Sequence, residues 1–242
     1  MSEYVLELKD IVKKFPGVVA LDHVQFQLKK GEIHALMGEN GAGKSTFIKI
    51  ITGVHAPNEG KIILKGEEVH FSSPLEASAR NIAAIYQHST AYPHLTVAEN
   101  IFISHFKKKG HFLDWKYMYK ETERLLKELG STVDPRREMG SLTVAEQQIV
   151  EIAKAISANA EILIMDEPTA ALSERECEQL YHIAEKLRDN GTSIIFISHR
   201  IEDMYRLASR VSVFRDGHYI ATYDVEGLEK DKLISAMVGR DI

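Results

Sequence analysis

Residues 38–45 read Gly38-Glu39-Asn40-Gly41-Ala42-Gly43-Lys44-Ser45, the spacing G-x-x-x-x-G-K-[ST], directly after an apolar run from Glu32 to Met37. Glycines at these positions let successive backbone N–H groups turn inward around phosphates, and a helix starting near Gly43 adds its positive end. Lys44 then reaches the β and γ phosphates of a nucleotide, Ser45 offers a hydroxyl to Mg²⁺, and Thr46 donates to the α phosphate. A plain glycine turn before a helix is the bland alternative, and the matched strand and lysine weigh against it. A second apolar run, Ile162 to Met165, ends in Asp166-Glu167. Successive side chains of a strand point to opposite faces, so adjacent carboxylates can take separate tasks: Asp166 toward the metal, Glu167 toward the water that attacks the γ phosphate. Alone, such a strand end is more often merely capped. Beside the phosphate loop the functional reading prevails.

These groups need elements to hold them. The runs 32–37, 162–165 and 193–197 read as buried strands, each ending in polar residues, the last in Ser198-His199. Polar residues past the carboxyl ends of such strands point to an open parallel sheet with its ligand in the crevice beyond that edge. Residues 4–8, 20–28, 61–64 and 67–71 alternate instead, predicting a small antiparallel sheet. From Thr96 the period turns helical, over 96–99, 113–130 and 143–158, predicting a helical block inserted in the sheet. Capping-box spacings begin at Ser73, Thr96, Thr143 and Ser173, each with a glutamate three residues on.

Composition excludes several classes. The chain has 242 residues, 44% of them hydrophobic and 27% charged, the balance of a folded soluble protein rather than a disordered one. Thirty basic against 35 acidic residues leave a net charge of −5, so no global positive field holds nucleic acid or anionic lipid. Cys177 is the single cysteine, which excludes an internal disulfide and a thiolate-rich zinc site and fits a reducing cytosol. No stretch reaches the 18 or so apolar residues of a membrane span, and the opening MSEYVLELKD lacks a secretory pattern.

The order of these motifs resembles the nucleotide-binding domain of an ABC transporter over essentially the whole chain. The resemblance implies an α/β fold: a P-loop NTPase (RecA-like) core with an N-terminal antiparallel β subdomain and an inserted helical subdomain, roughly residues 92–158. It implies ATP and Mg²⁺ as ligands, with Ser45, Gln87 and Asp166 at the metal and Lys44, Glu167 and His199 at the reacting phosphate. Phe15 is placed like the aromatic that stacks on adenine; a core phenylalanine is the plain alternative. Gln87 resembles the glutamine that touches Mg²⁺ and senses the transmembrane partner, and His199 the histidine that contacts the γ phosphate. Ala170-Ala171-Leu172 resembles the D-loop, where two such domains meet.

Leu142-Thr143-Val144-Ala145-Glu146-Gln147-Gln148 stands where the family has its LSGGQ signature, and the resemblance implies that hydroxyl and backbone N–H groups of Thr143 to Gln147 serve the ATP of the opposing domain. Thr143 keeps the hydroxyl. Ala145 replaces a glycine and Glu146 a glutamine, which narrows the backbone's approach and adds negative charge beside an anion. Two readings stay open: a weakened composite site, or a capping box formed by Thr143 and Glu146.

The runs QQIVEIAKAIS, DEPTAALSERE, SHRIEDM, VFRDG and MVGRDI are similar to the ATP-binding subunits of ribose, galactose and xylose importers, which usually carry two such domains in tandem. The expectation is therefore the N-terminal half of a longer protein that couples ATP hydrolysis to monosaccharide uptake. Its implied partners are a second nucleotide-binding domain, transmembrane permease subunits and, indirectly, an extracytoplasmic sugar-binding protein. Its implied place is the cytoplasmic face of the cell membrane. Related nucleoside or sugar-derived-signal importers share very similar ATPases, so the cargo stays open. A soluble DNA-repair or ribosomal ATPase is disfavoured because sustained heptads are absent, and a GTP switch because no N-K-x-D segment occurs. His88-Ser89-Thr90 departs from the acidic residue these relatives place after the glutamine. Lys107-Lys108-Lys109 and Arg136-Arg137 read as solvated charges, and Trp115 with Tyr117 and Tyr119 as packing.

Overall fold

The computed structural model describes residues 3–87 and 91–239; His88-Ser89-Thr90 lies outside them. Strands β1 (Tyr4–Phe15) and β2 (Val18–Lys29) form a long hairpin around Pro16-Gly17 and continue well past the alternating stretches that signalled them. Strand β3 (Ile33–Met37), wholly buried, leads through the phosphate loop into helix α1 (Lys44–Ile51). Strands β4 (Glu59–Leu64) and β5 (Glu67–Val69) complete an antiparallel sheet of order β2-β1-β4-β5. Helix α2 (Pro74–Ala79) and strand β6 (Ile82–Ile85) follow.

The helical block comes next: α3 (Val97–Phe102), a short ribbon of β7 (Lys108–Lys109) and β8 (Phe112–Leu113), α4 (Trp115–Glu128) and α5 (Val144–Ser157). The chain then runs through β9 (Ile162–Asp166), α6 (Glu174–Asp189), β10 (Ser193–Ile197), α7 (Ile201–Leu207), β11 (Arg210–Arg215), β12 (His218–Asp224) and α8 (Lys230–Val238). The central sheet has the order β12-β11-β3-β10-β9-β6, parallel throughout except at its β12 edge.

Strand alternation sorts the core. In β9 and β10, Leu163, Met165, Ile194 and Phe196 face one way, packing with Val150 of α5, Leu125 of α4 and Leu180 of α6. Ile162, Ile164, Ile195 and Ile197 face the other, against Phe47 and Ile51 of α1 and Phe26 of the antiparallel sheet. Asp166 continues the parity of Ile162 and Ile164, which aims it toward the phosphate-loop side. The sheet thus fixes Asp166, the last residue of β9.

Helix starts follow their signals. Thr96, Thr143 and Ser173 each form a complete reciprocal capping box with the glutamate three residues on. At Ser73 only half forms: its hydroxyl accepts from the Glu76 N–H, while the Glu76 carboxylate accepts from the backbone and hydroxyl of Ser72 instead.

Candidate active site

The phosphate loop is shaped by close approach. A Cβ on Gly38 would lie 2.3 Å from the Phe214 carbonyl oxygen of neighbouring β11, so only glycine fits there. Gly43 caps α1 with φ at 98° and would likewise clash with Leu21 and the Ala20 carbonyl. Lys44 folds back over the loop, its Nζ donating to the carbonyls of Gly38 at 2.6 Å and Glu39 at 3.0 Å. Burial pulls its pKa below the ordinary lysine value, against the opposing influence of Glu167 and Asp166.

The loop forms one wall of an open cavity of about 1080 Å³. Residues 38–46 line it together with Gln87, Asp166, Glu167 and His199. Four separate strand ends therefore converge on one space. Gln87 follows β6 and donates its Nε2 to Glu167 Oε2 at 3.1 Å. His199 follows β10 and brings Nδ1 within 3.3 Å of the same oxygen. Glu167 itself turns out of β9 with φ at 49°, a left-handed conformation uncommon for a non-glycine residue, and its N–H donates to the Ile197 carbonyl at 2.9 Å. Burial, aided by the charge of Glu167, raises the pKa of Asp166, and Lys44 opposes the shift.

Not every expected residue lines this space. Phe15 packs edge-on against His55, ring centroids 5.3 Å apart, with Lys13 over its face, and is not among the cavity-lining residues. Val18 and Val19 at the hairpin tip do line it, both strongly exposed, as do Asp216-Gly217 in the β11–β12 turn and Met237 of α8. Sequence reasoning missed all of these. Two valines in a strand look like ordinary β formers, and an Asp-Gly turn announces a hairpin without saying what its tip meets.

The residues Thr143, Val144, Ala145, Glu146 and Gln147 stand apart from this cavity at the start of α5. Thr143 N–H donates to Glu146 Oε2 at 2.8 Å, and the other carboxylate oxygen lies 3.7 Å from Arg137. Gln147 donates to the Leu142 carbonyl at 3.1 Å. The capping reading of this segment is realised, and it leaves Val144 half exposed.

The donor set fits a hard cation shared with phosphate. Among the described residues no group of three or more His, Cys, Asp and Glu forms a protein-only metal cage. The oxygens beside the loop are the exposed Ser45 hydroxyl, the Asp166 carboxylate and Gln87 Oε1, which the bond to Glu167 leaves available. An incomplete oxygen set of this kind suits Mg²⁺ completed by a nucleotide's phosphates.

Residues 21–170 match the family model described as ABC transporter, a span running from the second strand through the phosphate loop and signature segment to Ala170. This chain belongs to the ABC transporter family. Over its whole length the ABC protein is 49% identical to the putative ribose/galactose/methyl galactoside import ATP-binding protein 2 of Agrobacterium fabrum, covering 47% of that protein. It is 46% identical to the xylose import ATP-binding protein of Geobacillus kaustophilus, again over all of this chain and 48% of the relative. The chain thus spans about half the length of the curated relatives it matches. A solved ATP-binding cassette of an ABC transporter shares the fold with a TM-score of 0.87 at 24% identity, covering 98% of each chain. The dimeric structure of a bacterial ABC transporter cassette is 26% identical, with a TM-score of 0.80 over 92% of this chain and 100% of that one.

Proposed function

We propose that this ABC protein is the ATP-binding and ATP-hydrolysing subunit of a monosaccharide importer, one nucleotide-binding domain of a tandem pair. What carries the cargo class is the near-half identity, sustained along the entire chain, to proteins named for ribose, galactose and xylose import. What supports the chemistry is the convergence of Lys44, Asp166, Glu167 and His199 on one cavity.

ATP binds with its phosphates in the loop of residues 38–46. Lys44 leaves the Gly38 and Glu39 carbonyls for the β and γ phosphates, so its buried charge gains an anionic partner. Loop amides and the start of α1 add fixed positive dipoles. Ser45, Asp166 and Gln87 hold Mg²⁺, which when bound neutralises charge on the phosphate oxygens. Glu167 accepts a hydrogen bond from the attacking water and polarises it, and His199 holds the γ phosphate and reports its loss. Phe15, paired with Val18 at the tip of the hairpin whose valines border the cavity, is the proposed adenine neighbour.

Two such domains close around two nucleotides, each completing the other's site through its signature segment and D-loop, and drive permease subunits at the cytoplasmic face of the membrane. A sugar-binding protein outside delivers the cargo. The test is ATP-driven uptake by the subunit assembled with its permeases and binding protein in proteoliposomes. Ribose, galactose or xylose accumulation that stops in Glu167→Gln supports the reading. Accumulation of a nucleoside alone would move the cargo class, and uptake indifferent to ATP would overturn the proposal.

A further inference from the structure

Asp203 is fully buried in the first turn of α7, and no step described above uses it. Its carboxylate collects hydroxyls from three directions. Thr169 donates to Oδ2 at 2.5 Å, Ser198 donates to the same oxygen at 2.7 Å, and Tyr181 of α6 donates to Oδ1 at 2.5 Å. Thr169, Ser198 and Tyr181 are themselves buried. Arg200 Nε stands 3.6 Å from Oδ1 and its backbone N–H donates to Ser198 Oγ at 3.0 Å, so the charge is balanced at the rim of the cluster. Burial and the bond to Asp203 push the Tyr181 hydroxyl well above its ordinary pKa, keeping it a donor.

The chain positions of two of these donors give the cluster its meaning. Thr169 lies two residues beyond Glu167, and Ser198 immediately precedes His199. The strands that deliver them, β9 and β10, are paired as far as Asp166 opposite Ile197. Beyond that pair only the bond from Glu167 N–H to the Ile197 carbonyl continues the ladder, and the two segments then leave the sheet. Asp203 spans the gap through a single carboxylate oxygen, next to the point where Glu167 and His199 come within 3.3 Å. Taking a carboxylate out of water is costly unless its lone pairs are filled, so the three hydroxyls hold a definite arrangement rather than a loose contact.

We propose that Asp203 is a positioning residue for ATP hydrolysis, binding the loop after Glu167 to the loop that carries His199 so that the two side chains address the same γ phosphate together. The inference rests on the hydrolytic reading above. It makes the Thr169 and Ser198 hydroxyls two halves of one device: losing either disconnects the loops, and losing the second adds little.

The test compares Thr169→Val, Ser198→Ala, the double variant and Asp203→Asn in the assembled transporter, reading kcat, KM for ATP and thermal stability. Each single variant lowers kcat by about tenfold, the effect of about one lost hydrogen bond to a charged group, while KM stays within about twofold. The double variant matches the singles instead of multiplying them. Should Asp203→Asn fail to fold, the two small near-isosteric variants carry the experiment. A lowered Tm with unchanged kcat, or additive losses in kcat, overturns the inference and leaves Asp203 as packing. Wild-type protein without ATP turnover overturns the hydrolytic reading and this inference with it, whereas normal wild-type turnover with unaffected variants overturns the inference alone.

Discussion

Gln87 donates its side-chain amide to Glu167 Oε2 at 3.1 Å, joining the end of β6 to the end of β9 across the mouth of the phosphate cavity. The bond restrains the carboxylate proposed to orient water, and its donor, Gln87, is exposed on the surface. Gln87→Leu keeps the approximate shape and removes the donor. A hydrogen bond to a charged group contributes about 1.5 kcal/mol or more, so kcat for ATP is expected to fall at least about tenfold. Steady-state kinetics with unchanged kcat would show that Glu167 needs no help from this side.

Asp166 carries a cost that function explains. Burial holds its carboxyl above the usual aspartate range, so the native state binds that proton more tightly than the unfolded chain. Ionisation therefore costs stability fully at pH values above the raised pKa, and the cost fades as pH falls through that value toward the ordinary aspartate range. At pH 7, Asp166→Asn is expected to raise the Tm of the nucleotide-free protein by about 2 °C, a modest gain because the group is partly solvent-screened. Mg²⁺-dependent hydrolysis is lost in the same variant. A lower Tm by calorimetry would contradict the sign.

The loop glycines are not equivalent. Gly38→Ala places a methyl 2.3 Å from a backbone carbonyl in the centre of the sheet, and urea unfolding is expected to show a loss of about 3 kcal/mol. Gly41→Ala meets nothing within 4 Å and bears only the strain of φ at 87°, about 1 kcal/mol. Equal losses would mean that the backbone gives way at Phe214 and that the close approach does not select glycine at residue 38.

The signature segment separates capping from phosphate contact. Glutamine also serves a capping box, so Glu146→Gln is expected to leave stability within about 0.5 kcal/mol while removing a negative charge beside the nucleotide that the proposed domain pair would place there. Turnover of the assembled pair rises about threefold, a gain of under 1 kcal/mol in barrier height. Thr143→Ala loses about 1 kcal/mol of stability together with activity. Unchanged turnover in Glu146→Gln would make capping the whole role of that carboxylate.

Much of this arrangement is legible in the chain because it is written locally. The loop glycines with Lys44 and Ser45, the strand ending in Asp166-Glu167, and the three complete capping boxes all depend on residues within a few positions of one another. The parallel sheet follows from three short apolar runs ending in polar residues. What stays hidden depends on long-range packing. Val19 borders the cavity only because the β1–β2 hairpin crosses over the loop, where Ala20 touches Gly43. Asp203 looks like one more acidic residue of a short helix until Thr169 and Tyr181, distant in sequence, fold onto it. The expected adenine partner Phe15 rests on His55, a contact that no spacing within the first strand announces.

The central claim is that Glu167 orients the water at a nucleotide held by Lys44 and its loop. Mg-ATP binding and steady-state hydrolysis, measured on wild type and Glu167→Gln in the assembled transporter, test it most directly. The account predicts ATP affinity within about threefold of wild type and a fall in kcat of at least about a hundredfold. Wild-type turnover in Glu167→Gln, with ATP still bound, would contradict it.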